Sequence, residues 1–382
     1  MQESEKKDRK LKSFRHMKEL MTNYYIGAKT AEQHHRKVAW LTSGAPVEIL
    51  HAMNVIPIYP ENHAAMCGVQ RMGVELQQAA EEKGFSMDLC SYARTDIGSI
   101  YTGKSPVFGL PRPDFMVDMP FLTNGPQEHV VSYVAEQMQE LIRFVEEQTG
   151  TVFDQDRFLD VLMKSMETTQ LWSDILDSCT HVPAPMSCFD AFIHIGPIVT
   201  LRGTQECCDY YKILKQELSE RIQQGIGVVP EERHRLAWDN LPIWFNLKDL
   251  SNWLAERKTV LVAATYADSW CAKVYAGEGA LDMETILRQL ATAYLLPYIN
   301  NGFQERVRLL KNMLAKYQAD GFLMHSDRSC KPYSLGQYVI RDEVARQTGI
   351  SGLVIEADMT DPRQYAEAPT LNRIEAYLES LG

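Results

Sequence analysis

The sequence predicts an α/β protein with two doubly wound, Rossmann-like parallel sheets and additional helical segments. Three observations carry that reading. Short apolar runs, Val38–Leu41 and Val55–Ile58, each pass through a turn into a helical pattern, the succession that builds a parallel sheet. The same succession returns near the end of the chain at Thr259–Ala264, Gly321–Met324 and Gly352–Ile355. Between the two groups, Phe153 to Gln224 keeps a helical period broken by Pro183, Pro185 and Gly196-Pro197. The expected organisation is a helical lead-in over 1–35, a first α/β domain over 36–150, a helical and connector region over 151–250, and a second α/β domain over 251–382.

Composition bounds the function. A chain of 382 residues has ample length for real cores, and its net charge of −11 argues against nucleic acid or an anionic membrane as main partner. The N-terminus is charged and lacks the apolar core of a signal peptide, and no apolar run approaches the roughly 20 residues of a membrane helix. Eight cysteines without a secretion signal read as reduced thiols or ligands. A cytoplasmic protein is expected.

In chain order, Val38–Leu41 ends in Thr42-Ser43-Gly44-Ala45-Pro46 and a helix from Val47 to Met53. Val55–Ile58 closes in Tyr59-Pro60-Glu61-Asn62. One long amphipathic helix then carries Ala65, Val69, Met72, Leu76 and Ala79 on a single stripe, with Gly84 beyond its end. Ser43 and Glu61 thus sit on the same edge of one sheet, where open α/β sheets bind ligands. Each also has a plain reading, Ser43 as a cap and Glu61 as a partner for a helix dipole.

Cys90-Ser-Tyr-Ala-Arg94 leads into a helical stretch, and Gly98-Ser-Ile-Tyr-Thr-Gly-Lys-Ser105 matches the phosphate-loop pattern. That motif needs a buried strand before it and a helix after it. Here Tyr92–Asp96 precedes it, and Pro106, Gly109, Pro111 and Pro113 follow, so the match is read as fortuitous. A strand starts at Pro113-Asp-Phe-Met-Val117, a helix spans about 127–148, and 222–246 reads as a connector rich in Gly and Pro. Helices follow near 281–296 and 303–318. After Gly321–Met324 comes His325-Ser-Asp-Arg-Ser-Cys330, then Leu335, Val339, Ile340 and Val344 at helical spacing. Cys330 therefore occupies a strand-to-helix turn, where free N–H groups and the helix dipole favour a thiolate. Such a thiolate can bind metal or act as a nucleophile, or the residue can be an inert, half-buried cysteine.

Taken together, Tyr59-Pro-Glu-Asn62, Cys90-Ser-Tyr-Ala-Arg94, His325-Ser-Asp-Arg-Ser-Cys-Lys-Pro-Tyr-Ser334, Asp358-Met-Thr-Asp-Pro-Arg363 and Asn372-Arg-Ile-Glu-Ala-Tyr-Leu-Glu379 resemble the core iron–sulfur subunits of the benzoyl-CoA reductase and 2-hydroxyacyl-CoA dehydratase family. The resemblance covers nearly everything after residue 15, and it leans toward the substrate-handling type. It implies a 4Fe-4S cluster held by cysteines from both α/β domains in a cleft that admits an acyl-CoA thioester. It further implies a sister core subunit in a heterodimer and a separate ATP-hydrolysing iron–sulfur activator that injects one electron for radical chemistry. Cys90 and Cys330 match family cluster ligands, and Ser43 and Glu61 match positions that touch the substrate. Geometrically, all four residues should converge on one cleft.

One departure stands out. Relatives carry a third cluster cysteine after the strand that starts at Pro113, followed by a helix and another strand. Here Asp114–Val117 runs straight into Asp118-Met-Pro120, as if one unit of roughly 30 residues were missing. Cys67 and Cys271 are the candidates for recruitment. The gap should be closed by a neighbouring strand, by residues Phe121 to Pro126, or by another subunit. The alternative expectation is a non-catalytic, cluster-less partner subunit of such a complex.

Overall fold

The structure is a computed structural model that describes residues 11–107, 109–118, 125–272 and 282–382. The architecture is α/β with two parallel sheets. The first joins β1 (Val38–Leu41), β2 (Ile56–Ile58) and β3 (Phe115–Val117) in the order β2-β1-β3. Val38 pairs with Ile56, and Ala39 with Phe115, so β1 is the central strand. The second joins β4 (His234–Asp239), β5 (Thr259–Ala264), β6 (Gly321–Asp327) and β7 (Gly352–Ala357) in the order β5-β4-β6-β7. Every residue of β4 and β5 is buried, as expected of parallel strands covered on both faces.

Three expectations need correction. The stretch 222–246 is not only a connector, because β4 lies inside it and pairs with both β5 and β6. The stripe from Ala65 to Ala79 is not one helix but two, Pro60–Val69 and Gly73–Glu81, separated at Arg71, whose φ is +58°. The break lets Gly73 meet the turn after β7 so closely that a Cβ there would lie 2.0 Å from the carbonyl oxygen of Thr360. After Cys330, only a short turn, Lys331–Ser334, precedes the helix Gln337–Thr348. Ile340 and Val344 are buried, but Leu335, cut off from the helix by Gly336 at φ +82°, and Val339, on another face of it, are exposed. The expected closure of the gap by Phe121–Pro126 falls mostly on 119–124, outside the described residues.

The two sheets are locked together near Cys90. Arg94, buried in the helix Ser91–Thr102, pairs with Glu81 at 2.7 Å and with Asp361, in the turn after β7, at 3.4 Å. Arg363 grips the same two carboxylates at 2.7 and 2.8 Å. Gln77 adds a hydrogen bond to the Thr360 hydroxyl at 3.1 Å. These contacts fix the strand ends of one sheet against those of the other.

Candidate active site

All seven strands deliver residues from their carboxyl ends to one cavity of about 390 Å³ between the sheets. The first sheet contributes Ser43, Glu61 and Asp118, and the second contributes Leu241, Tyr266, Cys330 and Met359. Cys90, at the start of its helix, lines the same cavity. The four residues singled out in the sequence therefore converge on one space.

Ser43 and Glu61 touch directly. Glu61 is the second residue of the helix Pro60–Val69, entered through Pro60 at its first turn, and its Oε2 accepts the Ser43 main-chain N–H at 3.0 Å. Glu61 is half-buried and opens onto the cavity. Burial pushes its pKa up to about 7, the Ser43 N–H opposes that shift, and the charges of Asp96 and Asp118 add to it. A carboxyl with that value exchanges a proton readily near neutrality.

Cys90 and Cys330 are each the residue immediately before a helical turn. Their turns are joined, because the Ser91 N–H donates to the Ser329 hydroxyl at 3.1 Å. Asp327 at the end of β6 shapes the Cys330 turn by accepting the N–H groups of Ser329 at 3.1 Å and Cys330 at 3.3 Å. The thiolate expected at Cys330 needs correction. Burial pushes Cys90 up to about 11 despite N–H groups from Ala93 and Tyr92. It pushes Cys330 up further, with Asp327 adding to the effect. Desolvation outweighs the helix ends, so both are thiols at neutral pH until a cation displaces the proton. The lining is rich in aromatic side chains, with Tyr92, Tyr266, Trp270, Tyr294 and Tyr333 drawn from distant parts of the chain.

Neither Cys67 nor Cys271 is among the described residues lining this cavity. Cys67 is fully buried with its sulfur 3.7 Å from His63 Nε2. No group of three or more His, Cys, Asp or Glu side chains able to hold a metal ion is drawn together among the described residues.

The phosphate-loop match has a structural account. Gly98 lies inside the helix Ser91–Thr102, where a Cβ would fall 1.7 Å from the Leu76 carbonyl oxygen, and Gly103 ends that helix at φ +69°. Lys104 pairs with Glu75. Ser105 bonds at 2.9 Å to His63 Nε2, and the other ring nitrogen of His63 lies 2.6 Å from Asp96. This array clamps the loop to the helix that carries Glu61.

Sequence reasoning missed the cavity's buried ion pair, Glu48 and Arg202. Glu48 sits in a helix, Val47–Ala52, whose other positions are mostly apolar, and Arg202 follows the helix Gly196–Leu201. A charged residue within a buried apolar run was the available signal.

The family model described as 2-hydroxyglutaryl-CoA dehydratase, D-component, matches residues 42–381. The chain is 27% identical over 408 residues to the (R)-phenyllactyl-CoA dehydratase alpha subunit of Clostridium sporogenes, covering 99% of this chain and 98% of that one. It is 28% identical over 391 residues to the (R)-2-hydroxyisocaproyl-CoA dehydratase alpha subunit of Clostridioides difficile, covering 94% of each. It is also 28% identical over 396 residues to a subunit of the benzoyl-CoA reductase of Thauera aromatica, covering 94% of this chain and 91% of that one. The 408 aligned positions exceed this chain's 382 residues by 26, so at least that many positions have no counterpart here. On a match that runs over nearly its whole length, this chain belongs to the 2-hydroxyglutaryl-CoA dehydratase D-component family.

Proposed function

We propose that this chain is a core subunit of an enzyme that acts on an acyl-CoA thioester, of the 2-hydroxyacyl-CoA dehydratase or benzoyl-CoA reductase type. The observation that carries the reading is the convergence of Ser43, Glu61, Cys90 and Cys330 on one cavity. The subunit designations of the relatives support a sister subunit, and a separate ATP-hydrolysing iron–sulfur activator completes the proposal.

The residues fit a 4Fe-4S cluster in part. Two thiols on hydrogen-bonded turns, facing a common cavity, suit two corners of a cluster, which usually takes four protein ligands or a close substitute. A bound cluster would supply the single electron that this chemistry requires. The chain's own residues do the rest. Ser43 and Glu61 meet the polar end of the acyl group, and Glu61 accepts or returns a proton there. The aromatic wall excludes water around it.

The test is iron and sulfide quantitation after anaerobic reconstitution of the full chain, beside Cys90→Ala and Cys330→Ala. About four irons per chain, falling in both variants, is the expected result. Iron well below that, unchanged by either substitution, favours the cluster-less partner subunit. The shortened sequence and the lack of a third assembled ligand among the described residues are the observations that favour that second reading.

A further inference from the structure

The cavity carries its own chemical instruction, set by a buried charge pair. Arg202 is the only cation among the described residues that line the cavity, against the carboxyl groups of Glu48, Glu61 and Asp118. Its charge is already committed. Arg202 Nε lies 3.4 Å from Glu48 Oε1, and an Arg202 Nη2 hydrogen bond goes to the Tyr294 hydroxyl. That hydroxyl donates to Glu48 Oε2 at 2.7 Å and accepts the Val47 N–H at 3.2 Å, while Ser165 donates to Glu48 Oε1 at 2.6 Å. The guanidinium is also held 5.4 Å from the ring centre of Trp270 and 5.1 Å from that of Tyr294. Glu48 thus balances the charge of Arg202 and Tyr294 takes its Nη2, while its buried Nε makes no hydrogen bond.

We infer that this cavity selects a bulky, uncharged acyl group, aromatic or branched aliphatic, and rejects one that ends in a carboxylate, with Glu48 as the residue that sets the choice by neutralising Arg202. The inference rests on the acyl-CoA reading above. A terminal carboxylate entering here would find the one lining cation already balanced by Glu48, and adding a second anion beside that pair would be penalised. A short acyl group would leave the apolar surface of Trp270, Leu290 and Ile299 bare. One relative is named for phenyllactyl-CoA while the family is described by 2-hydroxyglutaryl-CoA, so the family itself does not decide the matter.

The experiment is calorimetric titration of the full chain, under anaerobic conditions, with 3-phenylpropanoyl-CoA, propanoyl-CoA and glutaryl-CoA. The expected result is that 3-phenylpropanoyl-CoA binds at least about tenfold more tightly than either of the others. In Glu48→Gln, glutaryl-CoA should gain about tenfold while 3-phenylpropanoyl-CoA stays within about threefold. Should Glu48→Gln not fold, the ranking of the three thioesters on the unaltered chain still decides. Equal or tighter binding of glutaryl-CoA or propanoyl-CoA by the unaltered chain overturns the inference and leaves the acyl-CoA reading standing. So does a folded variant that gains nothing for glutaryl-CoA. If none of the three thioesters binds, both fall together.

Discussion

Replacing Glu61 with glutamine should make the protein more stable at pH 8 and leave it nearly unchanged at pH 5. The reason lies in burial. The folded-state pKa of Glu61 is raised to about 7 from an ordinary 4.5. Between those values the folded chain keeps a proton that the unfolded chain releases, so stability falls as pH rises through that window. At about 1.4 kcal/mol per factor of ten, the full effect above pH 7 is about 3 kcal/mol. Glu61 opens onto a cavity where water screens part of its charge, so the expected difference is about 2 kcal/mol. The glutamine of the Glu61→Gln variant carries no ionisable proton, and its carbonyl oxygen can still accept the Ser43 N–H. Urea unfolding of both proteins at pH 5 and pH 8 measures the effect. A stability difference that is the same at the two pH values, or a variant that is weaker at pH 8, would refute the reasoning. Turnover of the variant should fall sharply at either pH, since the proton is the useful part.

Further outcomes follow from packing. Arg94→Met leaves Glu81 and Asp361 with Arg363 as the remaining member of their cluster, and should reduce stability by about 3 kcal/mol in thermal unfolding. Gly98→Ala should cost about 2 kcal/mol or more, because the added methyl meets the Leu76 carbonyl and backbone must move. Cys330→Ala should change stability by less than about 1 kcal/mol while abolishing iron uptake, which separates a ligand from a core thiol.

The strand ends of the site were legible because their sequence is explicit. Apolar runs met turns at Ser43, Glu61 and Cys330, and period and punctuation alone put those residues at carboxyl edges. The strand β4 was not, because it reads His234-Arg-Leu-Ala-Trp-Asp239, with polar residues that usually belong to the surface. Inside the fold they are partnered. Arg235 donates to the carbonyls of Cys179 and Tyr317, and Asp239 accepts from Thr265 and Gln337. The break after Val69 was hidden for a similar reason, since it serves a contact with Thr360, far away in sequence. The aromatic wall has no local signature at all. Tyr92, Tyr266 and Tyr294 meet only through tertiary structure, as do Glu48 and Arg202. The helix-end argument for a thiolate at Cys330 failed because it omits desolvation, which is set by the whole fold.

The central claim is that one cavity holds both the metal centre and the thioester. The most direct measurement is the electron paramagnetic resonance spectrum of the reconstituted, reduced chain, with and without 3-phenylpropanoyl-CoA. A thioester seated beside Cys90 and Cys330 should shift the cluster's g-values, and Cys330→Ala should remove the signal. A thioester that binds by calorimetry yet leaves the spectrum untouched would contradict the account.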